Sequence, residues 1–149
     1  MLELKIRENA MKSLLNIEPR FAETDQMGVI HHGTYPIWYE MGRIKYCDDL
    51  GLPFKNFIER GIHLAVTELS LKYIKPVRFG EQLKLYTYLI GFTKVRSYFK
   101  FELYNQQNEL MNTGQTTLAW LDSEMKPLNI QKYHPDLFET FSKCIVIES

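Results

Sequence analysis

The sequence predicts one α+β domain in which a single long helix is covered by an antiparallel sheet of about five strands. Three observations carry this. An apolar repeat of helical period runs from Thr34 to Leu50. Four stretches rich in β-branched and aromatic residues follow it, with period-2 alternation. The gaps between those stretches are short and full of turn formers. The 149 residues, 45% of them apolar, are the size of one domain with one core. No repeat, linker or low-complexity segment divides residues 1–149.

Taken in order, a first strand is expected between Lys12 and Phe21, followed by a loop from Ala22 to Gly33. Thr34 suits a helix N-cap, and Pro36 suits the first turn, where a missing N–H costs little. Ile37, Met41 and Ile44, with Trp38 on the adjacent flank, recur at helical spacing; Glu40, Arg43 and Lys45 are the polar positions among them. Gly51 and Pro53 stop the helix, which is about 25 Å long at 1.5 Å per residue. A short helical turn over Phe54–Arg60 ends at Gly61. The strands are Ile62–Val77, Gln82–Phe92, Val95–Tyr104 and Leu110–Asp122. In the second, Leu83, Leu85, Thr87 and Leu89 alternate with Lys84, Tyr86, Tyr88 and Ile90. Pro76 and Gly80, then Gly91 to Lys94, then Asn105 to Glu109 punctuate the connections, and short connections imply antiparallel neighbours. His134-Pro135-Asp136 opens a C-terminal helix over Asp136–Lys143.

One helix covers one face of such a sheet. Two edges remain, together with an outer face carrying Tyr86, Tyr88, Ile90, Tyr98 and Tyr104, which predicts an oligomer.

Composition removes several function classes. The 18 Lys and Arg balance 18 Asp and Glu, leaving no basic field for nucleic acid and no acidic tail. No apolar run approaches the roughly 20 residues of a membrane span. Met1–Ile17 mixes charge with short apolar pieces, unlike a signal peptide. Cys47 and Cys144 stand far apart, which makes neither a zinc ribbon nor a disulfide framework. A cytoplasmic protein is the simplest expectation. GxSxG, GxGxxG and GxxxxGK[ST] are absent, and His63 and His134 lack ligand-spaced companions, so neither metal nor cofactor is expected.

The chemistry concentrates in Glu23–Tyr35, which packs an acid, a glycine loop, two histidines and a helix start into one stretch. A carboxylate there can act as base or nucleophile, and free N–H groups at a helix start can hold an oxyanion. That pairing suits acyl transfer. Gly28 lets the loop turn tightly or lets backbone approach a ligand. His31 and His32 are adjacent, so both are not expected to face one site.

The pattern Asp25, Gly28, Val29-Ile30, His32, Tyr35, Tyr39-Glu40 and Arg43 resembles the 4-hydroxybenzoyl-CoA thioesterase family, most closely its Tol-Pal-associated acyl-CoA thioesterase branch. Residues 72–81 and Leu118-Ala119-Trp120-Leu121 are similar too, so the resemblance spans nearly the whole chain. It implies a hotdog fold and hydrolysis of an acyl-CoA to free acid and CoA, with an acyl carrier protein as an alternative donor. It assigns Asp25 as the catalytic carboxylate, either attacking the thioester carbonyl or activating water. The amides of His32 and Gly33 become the oxyanion hole, and the His32 side chain orients Asp25 or a water. Gly28 and Tyr35 line the substrate site, Tyr35 mainly by packing. Lys94, Arg96 and Ser97 match the family's basic contact to the nucleotide, and Lys75 and Arg78 lie at a second basic junction. Glu40 is a weaker second carboxylate, expected in a buried ion pair with Arg43 at i+3. The site is expected between subunits of a homodimer or homotetramer. Two other readings remain: an enoyl thioester hydratase, disfavoured because its D-x4-H spacing becomes six and seven residues here, and a non-catalytic acyl-binding module.

Overall fold

The computed structural model describes residues 11–146, so the reading of the first ten residues lies outside it. The elements are β1 (Lys12–Ile17), α1 (Tyr35–Asp49), α2 (Phe54–Glu59), β2 (His63–Tyr73), β3 (Leu83–Phe92), β4 (Arg96–Tyr104), β5 (Leu110–Leu121), α3 (Ile130–Tyr133) and α4 (Pro135–Lys143). Two 3-10 turns, Phe21–Glu23 and His32–Thr34, sit between β1 and α1. All five strands form one antiparallel sheet in the order β1-β3-β4-β5-β2.

The meander holds for β3, β4 and β5. It fails for β2, which pairs with β5 rather than with β3, while β1 takes the free side of β3. The predicted strand to Val77 stops at Tyr73. There Ile74 and Lys75 both donate their N–H to the Met111 carbonyl, and Pro76 has no N–H to continue the ladder. The freed segment 74–82 is long enough to cross to the far side of the sheet. Short α3 was not foreseen; Asn129 caps it, its side chain accepting the Lys132 N–H.

Alternation decides what faces the helix. Leu83, Leu85, Thr87, Leu89, Phe99, Phe101 and Leu103 are buried, toward α1. Tyr39 of α1 stacks flat on Phe101 with centroids 4.4 Å apart, and its hydroxyl donates to Asn112 Oδ1 at 2.6 Å. Gly42 sets how closely α1 approaches β3, since a Cβ there would lie 2.5 Å from Thr87 Oγ1 and 2.8 Å from Leu85 Cδ2. The far end is closed by Phe57, Phe92, Trp120 and Phe141, whose rings contact one another beneath α4. On the outer face Tyr88 is buried, with the Lys12 ammonium 4.4 Å above its ring.

Candidate active site

The site region is the stretch between β1 and α1, folded as a small hairpin that delivers the chain to the helix start. Thr24 and Ile30 form an isolated antiparallel bridge, and Asp25 donates its N–H to Val29 O at 2.7 Å. Gly28 turns the tip with φ +78°, a conformation that side-chain-bearing residues adopt at a cost. A second bridge, Val29 to Arg78, and the Ile30 N–H donated to Val77 O tie the hairpin to the β2–β3 crossover.

Asp25 is half-buried on this hairpin. Its Oδ1 accepts the N–H of Met27 at 2.8 Å and of Val29 at 3.3 Å. That is the Asx turn of an ordinary loop aspartate, and it uses one oxygen. Oδ2 has no hydrogen-bond partner among the described residues.

The helix start is built differently from the expectation. Thr34 is buried and makes no side-chain cap; the capping group is His31, whose Nδ1 accepts the Gly33 N–H at 3.0 Å. A tight 3-10 turn does this, because it brings the side chain of the residue before the turn over the second amide. The same turn lays the His31 and His32 rings alongside each other, centroids 4.3 Å apart, instead of splaying them. The Tyr73 hydroxyl donates to the His32 carbonyl at 3.1 Å. The peptide between His32 and Gly33 is therefore held at both ends. The His32 N–H, in contrast, has no acceptor among the described residues. Tyr35 is buried edge-on against Trp38 and Tyr73, and that burial raises the pKa of its hydroxyl.

The basic set is not gathered here. Ser97 is fully buried on the helix-facing side of β4, whereas Arg96 is exposed and Lys94 lies in the exposed β3–β4 turn. Along β5, Tyr73 beside the helix start is level with Asn112, and Arg96 is level with Ala119. Seven residues of strand separate those levels, about 23 Å. Lys75 is paired with Glu109.

Glu40 and Arg43 also depart from expectation. Glu40 is exposed, and no ion pair joins it to Arg43 within 4.0 Å among the described residues. Arg43 is only 7% exposed, its Nε has no hydrogen-bond partner among the described residues, and burial lowers its pKa. It lines a cleft of about 210 Å³ between α1 and β2, with Ile37, Tyr39, Val66, Leu69 and Thr116. The Thr116 hydroxyl is likewise buried without a partner among the described residues. Sequence reasoning missed this cleft because it depends on β2 lying at an edge. Among the described residues no group of His, Cys, Asp and Glu gathers at metal-binding spacing, and no helix is long and apolar enough to cross a membrane.

Residues 19–137 match the model of the thioesterase-like superfamily. The chain belongs to this family. Relatives extend along most of its length. The candidate acyl-CoA thioesterase YneP of Bacillus subtilis is 30% identical over 86% of this chain and 94% of its own. The acyl-acyl carrier protein thioesterase ATL2 of Arabidopsis thaliana is 30% identical over 85% of this chain and 68% of its own. Among solved structures, a DHNA-CoA thioesterase from Staphylococcus aureus superposes with a TM-score of 0.86 at 38% identity, covering 89% of each chain. The five-stranded sheet with its long helix is the hotdog fold of these thioesterases.

Proposed function

We propose that this protein is an acyl-CoA thioesterase, releasing free acid and CoA, with Asp25 as the reacting carboxylate and the His32 N–H as the oxyanion donor. One observation carries the reading. Among the described residues, a carboxylate with one oxygen anchored and the other free stands beside a backbone amide that has no acceptor, at the entrance to a long helix. A thioester carbonyl bound between them would meet Oδ2, or a water held by it, on one side and a hydrogen-bond donor on the other. The developing negative charge on the thioester oxygen is then stabilised by an amide that needs no reorganisation. Asp25 acts either by attacking the carbonyl carbon or by taking a proton from the attacking water.

The acyl group would run along α1 into the cleft lined by Arg43 and Thr116. A buried Arg43 Nε and a Thr116 hydroxyl, both without a hydrogen-bond partner among the described residues, favour an acyl group carrying polar substituents, consistent with the DHNA-CoA thioesterase among the similar structures. We place the nucleotide of CoA on Lys94 and Arg96 of another copy; on this protomer the pair lies about 23 Å of strand from the level of the helix start. The open, apolar edge at β2 supports a homodimer, or a homotetramer built from it.

Purified protein and its Asp25→Asn variant, offered a panel of alkanoyl- and hydroxyaroyl-CoAs and an acyl carrier protein thioester, test this by release of free thiol. Turnover lost in the variant is expected. Undiminished turnover in Asp25→Asn sinks the assignment, and tight binding with no thiol release in wild type favours a binding module.

A further inference from the structure

Glu23 stands two residues before Asp25 and belongs to neither the reacting pair nor the acyl cleft, yet both of its carboxylate oxygens and its carbonyl are engaged. Its side chain is 9% exposed. Oε1 accepts the Arg20 N–H at 2.7 Å, and Oε2 accepts the Trp38 indole N–H at 2.9 Å. Its backbone carbonyl accepts the His31 N–H at 2.9 Å. Trp38 is itself buried on the first turns of α1, edge-on to Tyr35.

We infer that Glu23 is a positioning residue for thioester hydrolysis, fixing the Asp25 strand of the hairpin to the amide-bearing strand and to α1 at once. The inference rests on the reading of Asp25 and the His32 N–H given above. Through Trp38, the carboxylate fastens the base of the hairpin to the helix. Through its carbonyl, the same residue holds His31, directly before the free amide of His32. Asp25 and the oxyanion donor thus share one anchor, and a slip there moves one relative to the other. Displacements on the order of 1 Å can cost about a hundredfold in rate. Burial alone would push the Glu23 carboxyl up, but the Arg20 and Trp38 hydrogen bonds win and hold it below its usual value. The acceptor is therefore a carboxylate at neutral pH. An aspartate is too short to span both donors, and a glutamine must turn its NH₂ toward one of them.

The test is steady-state hydrolysis of the best acyl-CoA by wild type, Glu23→Gln, Trp38→Phe and the double variant, with Asp25→Asn as reference and a thermal melt of each. The expected result is at least a tenfold fall in kcat for each single variant with KM within threefold. The double variant should be no slower than the slower single, because both changes remove the same bond. Glu23→Gln with kcat within twofold of wild type, kcat and KM worsening together, or additive losses in the double overturns the inference. Asp25→Asn inactive beside a fully active Glu23→Gln removes this inference alone. A wild type with no thioester hydrolysis removes the functional reading and this inference with it.

Discussion

His31 Nδ1 accepts the Gly33 N–H at 3.0 Å, so one of the two amides at the helix start is already occupied by the protein itself. The ring must carry its proton on Nε2 to accept there. This bond leaves the His32 amide as the available donor. Asparagine at position 31 also places an acceptor over the turn. His31→Asn should keep both stability and turnover, whereas His31→Ala should lose about 1 kcal/mol, the usual worth of a side-chain cap. Urea denaturation of the two variants measures the difference; equal midpoints would show that the bond contributes nothing.

Asp25→Asn retains the Oδ1 that accepts from Met27 and Val29, so the hairpin should survive the substitution. What it loses is the basicity of the second oxygen. We expect kcat to fall by about 10²–10⁴-fold, the range for removing a general base, with an unchanged melting temperature. A variant that melts earlier in proportion to its lost activity would mean that the residue is structural.

Gly28 adopts φ +78° with nothing within 4 Å of where a Cβ would stand. The cost of Gly28→Ala is therefore conformational, about 1–2 kcal/mol from the left-handed backbone. It falls on the hairpin that carries Asp25, so turnover should drop along with stability. A variant as stable as wild type would indicate that the loop relaxes to another turn.

Much of the fold was legible because its signals are local. The helix expected over Thr34–Leu50 matches α1 within one residue at each end, since Pro36 and Gly51 mark it. The inward set of β3 follows from its alternation alone. The position of β2 was not legible. Adjacency in sequence suggested pairing with β3, whereas pairing with β5 is a long-range choice made by the crossover at 74–82. The site divides the same way. Asp25 stood out by its spacing to glycine and histidine. Glu23 and Tyr73 did not, because their roles are hydrogen bonds to Trp38 and to the His32 carbonyl across the fold. Ser97 read as one of a basic trio, but strand alternation turns it into the core while Arg96 stays outside.

Arg60 forks onto both oxygens of Asp136 and holds its pKa down to about 2. A depressed carboxyl contributes stability above its unfolded value, near 4, and loses it as pH falls through about 2. His134, beside the same guanidinium, is lowered by burial and by that charge, so it opposes folding as it protonates below about 6.5. Asp136→Asn should therefore flatten the acid limb of stability between roughly pH 4 and 2. Its cost at neutral pH should stay below about 1 kcal/mol, because the Asp136 side chain is 63% exposed. Chemical denaturation across pH checks both statements.

β2 is an edge strand; Val66 and Leu69 on it are exposed beside Ile37 of α1, and Met41 of α1 is exposed as well. Open edges and apolar patches of this kind are normally covered, and a two-fold axis would let the same surface cover itself. The proposed nucleotide contact is likewise with Lys94 and Arg96 of a second copy, the pair on this protomer lying about 23 Å of strand from the level of its helix start. Met41→Arg, exposed on α1 and outside the acyl cleft, should thus do two things together: lower the mass in solution to that of a monomer, and abolish turnover of acyl-CoA although Asp25 is untouched. Light scattering coupled to gel filtration reads the first, and thiol release the second. A monomeric variant with full activity would place the whole site within one chain and return the nucleotide contact to residues near the hairpin, among them Arg78.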